Sequence, residues 1–171
     1  MEACTHASMP KNISNENISN EIDNLTLAIS DLSSEVSLID ASETSRLLVA
    51  TTIELANEYD VTWPPLYHNI LVNTGFRKRG LCCHWAEDLH AKLRSLQSQS
   101  LQFDWLVSRL GSELREHNTV VIYPSGSSWD KGLVFDPWRK AGVPYWSKVS
   151  NDKYPWQPHP LSGRWDILKC K

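Results

Sequence analysis

The chain has 171 residues, of which 41% are apolar and 22% charged, with a formal net charge of −3. That length suits one domain with one hydrophobic core, and the composition excludes a wholly disordered or fibrous chain. The weak negative charge and the lack of a large basic block argue against nucleic-acid binding through phosphate contacts, and no apolar run approaches the ~20 residues that span a bilayer.

Residues 1–20 read as a flexible polar leader. A tandem pentapeptide, Asn12 to Glu16 and Asn17 to Glu21, fills its second half and ends one residue beyond it; its two isoleucines bury too little apolar area to offset ordering entropy. Asn12, Asn17 and Asn24 head glycosylation sequons, which matter only in a eukaryotic secretory pathway. Ala3-Cys4-Thr5 before a polar spacer looks like a bacterial lipoprotein trimmed to its lipidated cysteine. That reading puts a lipid anchor on Cys4 and a periplasmic, membrane-anchored location on the chain. An incidental cysteine in the tail of a cytoplasmic protein is the competing reading.

Residues 21–171 read as a single domain. The spacing Ile22, Leu25, Ile29, Leu32, Val36 predicts one face of a helix. A second helix is expected from after Ser42 to about Tyr59, and a short one over Leu66 to Val72 after the break at Trp63-Pro64-Pro65. Gly75 and Gly80 bracket the basic stretch Arg77-Lys78-Arg79, and a helix over Leu81 to Leu96 follows. Beyond Gln99 the pattern turns to strands: Phe103 to Val107, Glu116 to Tyr123 and Gly132 to Asp136, the last two joined as a hairpin. From Pro137 onward the chain is rich in Pro and Trp, as suits an irregular segment wrapped over a core. Helices followed by an antiparallel sheet make an α+β domain.

The four cysteines, at 4, 82, 83 and 170, make a poor disulfide framework and are better read for thiol chemistry. Three places carry the chemistry. Gly80-Leu81-Cys82 supplies a thiol at a helix start, His117 an imidazole on one strand, and Asp136 a carboxylate on the next. In that order they form a nucleophile, its base and the group that orients the base.

Helix geometry selects Cys82 over Cys83. At ~100° per residue Cys82 shares the stripe of Ala86, Leu89, Leu93 and Leu96, whereas Cys83 falls with Glu87, His90 and Arg94 on a face expected to be wet. The helix dipole and the nearby Arg77 and Arg79 are expected to favour the thiolate. Pairing Tyr123 with Gly132 sets Thr119 opposite Asp136 and puts His117 on the same face, one diagonal step away. Zinc is disfavoured, because Cys82, Cys83 and His84 diverge around a helix and no C-x-x-C pair exists; no cofactor is called for.

These residues resemble the transglutaminase-like branch of the papain-like cysteine enzymes. In that branch a G-x-C motif opens a helix, a following strand carries His and the next carries Asp. The likeness runs over roughly residues 42 to 146. It implies a papain-like core, with the nucleophile helix packed on a small antiparallel sheet, and Cys82, His117 and Asp136 as catalytic residues. The implied activity is hydrolysis or acyl transfer on an amide of a peptide or protein, through a thioester. The lysosomal papain signature does not match. Asn69, Asn73 and Trp63 are candidates for a side-chain oxyanion donor beside the Cys82 N–H. The competing reading is a non-catalytic binding or scaffolding module that keeps the same fold.

Overall fold

The computed structural model describes residues 15–112, 114–161 and 170. Apolar residues at helical spacing build the first layer. Helix α1 spans Asn15–Ser30 and buries Leu25 and Ile29. Its start lies inside the expected leader: residues 15–20 are helical and Ile18 packs on the core. Leu32 and Val36 belong to the connection that follows. Ser37 then caps α2, Leu38–Glu58, its side chain accepting from the Ile39 N–H at 3.2 Å, the usual way a hydroxyl satisfies an orphan amide of the first turn. This helix begins earlier than Ser42, because the cap and not the apolar pattern sets its start. Helices α3, Pro65–Asn73, and α4, Cys82–Leu93, fall close to expectation.

Among the described residues the sheet has five antiparallel strands in the order β4-β3-β2-β1-β5. They are β1 Leu101–Ser108, β2 His117–Pro124, β3 Leu133–Phe135, β4 Trp146–Lys148 and β5 Trp156–Pro158. Every residue of the central β2 is buried. Its side chains alternate between two apolar layers, as strand geometry requires. Val120 and Ile122 join Leu133, Phe135, Leu89, Leu93, Leu48, and the α1 residues in the main core. Val121 and Tyr123 join Leu106, Val134 and Trp156 in a smaller core on the opposite side. Helices cover one face; part of the Pro- and Trp-rich segment covers the other. The chain is therefore α+β, and none of the helices among the described residues is long and apolar enough to cross a membrane.

The β2–β3 register pairs Val120 with Phe135, Val121 with Val134 and Ile122 with Leu133. This is the expected pairing, in which Thr119 stands opposite Asp136. The Thr119 hydroxyl donates to the Phe135 carbonyl at 2.7 Å, fixing the strand just before Asp136. Cys4, the sequon at Asn12 and Trp165 lie outside the described residues.

Candidate active site

Asp136 directly follows β3 and precedes a 3₁₀ turn over Pro137–Lys140. Its backbone N–H donates to the Tyr145 carbonyl at 2.8 Å. Pro137 presets the turn that follows. So held, the carboxylate is 2% exposed, and its Oδ2 lies 2.6 Å from His117 Nε2. Arg139, three residues on, donates from Nε to the same oxygen at 2.6 Å and reaches Asp152 Oδ2 with Nη2 at 2.8 Å. Sequence reasoning missed Arg139. The only trace of it was a cation at i+3 from Asp136 across a proline turn.

His117 is the first residue of β2 and is buried. Its ring lies between Trp138, with centroids 4.8 Å apart, and Tyr154, 4.7 Å away, with Trp156 at 5.6 Å. Trp138 is steadied in turn, its indole N–H donating to Asn69 Oδ1 at 3.0 Å. Burial pushes the imidazole pKa down, but the Asp136 carboxylate, helped by Cys82, outweighs burial and holds it up at about 9. A buried imidazolium of this kind survives only beside a counter-charge.

Cys82 is the free cysteine among the described residues and is half-buried at the first position of α4. Its sulfur lies 4.0 Å from the Glu116 carbonyl, directly before His117, and its side chain interacts with the His117 ring. Asp136 occupies Nε2, so Nδ1 is the ring nitrogen left to serve the sulfur. As the first residue of α4, Cys82 has a backbone N–H without an acceptor inside the helix, and that N–H can receive a developing oxyanion. The three residues picked out from sequence are thus brought together.

The route to that meeting differs from the expected one. Ala86, Leu89 and Leu93 do face the core. Alternation along β2, however, puts His117 on the face of Val121 and Tyr123, away from the helices. The thiol meets the ring at the end of the strand because Cys82 stands at the helix terminus, not over the sheet.

Other expectations are corrected. Cys83 is disulfide-bonded to Cys170, with Cα atoms 5.3 Å apart, and packs beside Ala86, Trp105 and Leu161. His90, assigned to the wet face, is 3% exposed. Strand β1 packs against that side of α4 and buries His90, whereas Arg94 on the same side stays exposed. Arg77 pairs with Asp60 at 2.7 Å, and Arg79 with Glu87 and Asp88 at 3.0 and 2.9 Å, so neither is an uncompensated charge for the thiolate. Of the oxyanion candidates, Asn69 turns its oxygen to Trp138, while Asn73 and Trp63 are exposed.

Two further histidines shape the approach to Cys82. His84 Nδ1 accepts from the Gly80 and Leu81 N–H groups at 3.1 and 3.2 Å, capping the turn that leads into α4. His68 Nδ1 accepts from the Thr62 N–H at 3.2 Å, leaving Nε2–H to donate to the Arg79 carbonyl at 3.0 Å. Beside His117 a cavity of about 310 Å³ opens, walled by Trp138 and Tyr154. Among the described residues no group of three or more His, Cys, Asp or Glu side chains is arranged to hold a metal ion. Comparison of the chain with known protein families, with characterised proteins and with solved structures finds no match.

Proposed function

We propose that the chain is a thiol-dependent hydrolase or acyltransferase, acting on an amide bond through a thioester on a papain-like, transglutaminase-like core. One observation carries this reading. A buried imidazole is held at 2.6 Å by a carboxylate through one ring nitrogen, and the Cys82 side chain interacts with the same ring.

The chemistry follows from the charges. The Cys82 thiolate attacks the amide carbon, and the oxygen, taking up negative charge, meets the Cys82 N–H. The His117 imidazolium gives its proton to the departing amine as the C–N bond breaks, leaving a thioester and a neutral ring. That ring then takes a proton from water, or from an acceptor amine, as it adds to the thioester; the thiolate leaves and the site is restored. Asp136 stabilises the imidazolium and fixes the ring's orientation. Arg139 positions Asp136.

Limiting iodoacetamide at neutral pH, followed by peptide mapping, tests the reading. Cys82 should label much faster than Cys4, and the advantage should vanish in His117→Asn while the far-UV circular dichroism stays native. Equal labelling of the two cysteines, unmoved by the substitution, would refute it.

The binding-module alternative is favoured by the exposed apolar side chains Leu66, Ile70 and Phe76 on and just after α3, since such patches mark interaction surfaces. The same labelling experiment separates the two, because a module without catalysis has no reason to keep an activated thiol.

A further inference from the structure

The cavity beside His117 has a composition that the triad chemistry does not use. Leu66 and Leu114 form its apolar rim, and Trp138 and Tyr154 its walls. Arg109 and Arg115 stand on the same lining, both exposed. Arg77, Arg79 and Arg139 are all paired with carboxylates. Among the described residues neither Arg109 nor Arg115 forms an ion pair. Arg109 stands with its guanidinium 5.8 Å from the Tyr154 ring centroid, on a left-handed backbone of φ 54°. A non-glycine residue adopts that conformation at a cost. Among the described residues Glu116 is the one carboxylate on this lining, and both its oxygens are engaged. Oε2 accepts from the Gly111 N–H at 2.7 Å and Oε1 from the Asn118 side-chain amide at 3.1 Å.

A volume of about 310 Å³ lies at the lower end of ligand pockets and fits a group the size of one amino acid. We infer that this cavity is the specificity pocket of the site, and that it takes an amide substrate carrying a carboxylate within one residue of the scissile bond, read by Arg109 and Arg115. The inference rests on the thiol chemistry proposed above. Its aromatic walls take the aliphatic part of the group while the two guanidinium ions meet its charge at the mouth. Arginine suits this role because its planar fork matches a carboxylate.

The test compares an anionic and a neutral probe of one size. Iodoacetate and iodoacetamide both alkylate Cys82, the sulfur displacing iodide. The ratio of their rates cancels any change in the thiol itself. Arg109→Gln and Arg115→Gln should each lower the iodoacetate-to-iodoacetamide ratio by about threefold, the scale of one exposed charge pair. Lys92→Gln removes the same charge near the far end of α4 and should leave the ratio unchanged. Protection of Cys82 from iodoacetamide then locates the substrate's charge. N-acetylisoglutamine reports a side-chain carboxylate and N-acetylglutamine a terminal one, against the neutral N-acetylglutamine amide. A ratio unmoved in both arginine variants overturns the inference, as do acids that protect no better than the neutral amide. Labelling indifferent to His117 instead overturns the thiol chemistry, so the two failures are told apart.

Discussion

Replacing Asp136 by asparagine isolates the charge on which the site depends. Both His117 Nε2 and Arg139 Nε converge on Oδ2, each at 2.6 Å. An asparagine with its oxygen in that place keeps two acceptor contacts and loses only the negative charge. The rise of the His117 pKa from 6.5 to about 9 corresponds to roughly 3 kcal/mol in favour of the imidazolium. Without the carboxylate only the weaker contribution of Cys82 opposes burial, and the ring should titrate far below 9. At pH 7.5 the imidazolium then falls from nearly the whole population to a small fraction, and the thiolate loses its cation. Alkylation of Cys82 should slow at least tenfold at that pH; loss of an orienting carboxylate can cost up to ~10⁴ in a triad. Stability should fall by about 1–3 kcal/mol, less than for a wholly orphaned buried ion, because Arg139 keeps Asp152 at 2.8 Å. The assay is the pH dependence of Cys82 alkylation beside an NMR titration of the His117 ring. A ring still titrating near 9, with unchanged alkylation in a folded variant, would show that Asp136 does not govern the imidazole.

Three further outcomes are expected. Thermal stability should peak near neutral pH: His117, with its pKa raised, contributes fully below 6.5 and loses that contribution as pH climbs toward 9, whereas His90, pushed down by burial to about 4, withdraws stability as pH falls from 6.5 toward 4. A flat profile across that range in a calorimetric series would contradict both assignments. Gly80→Ala should lower stability by about 2–4 kcal/mol in urea titration, because φ is 121° there and an added Cβ would overlap the His68 ring; a neutral effect would mean that the turn into α4 is loosely held. Reducing the Cys83–Cys170 bond should cost up to about 4 kcal/mol, since it closes a loop across a separation of 87 residues, and a melting midpoint indifferent to reductant would argue that the tether constrains little.

The legible parts of this protein were those set by period and by local chemistry. Leu25 and Ile29 announce a buried helical face because a 3.6-residue repeat of apolar groups has nowhere else to go. The β2–β3 register could be counted across the loop from the pairing of Tyr123 with Gly132, and a one-residue slip would set His117 and Asp136 on opposite faces of the sheet. That register alone brings His117 beside Asp136. Arg139 was opaque because its role depends on how the Pro137 turn folds back. Cys170 was opaque because nothing in an interval of 87 residues says that its end returns to α4. The start of α1 was misplaced for a different reason: Asn15 to Asn20 has poor helical composition, and packing of Ile18 and Ile22 on the core overrides that propensity.

The face of the sheet on which His117 lies has a consequence for where substrate must enter. A base on the helical face would be sealed beneath α4, with Leu89 and Leu93 over it. Because His117 is the first residue of β2 and points to the other layer, the thiol and imidazole meet at an edge of the domain where three segments end: the start of α4, the start of β2 and the turn after β3. The connection between β1 and β2 runs past that edge, and it carries Arg109, Leu114 and Arg115 to the cavity mouth. None of these three belongs to either apolar layer. Changes in that connection can therefore alter what the cavity accepts while the buried pair of His117 and Asp136 stays in place, the usual division between a rigid scaffold and the loop it displays.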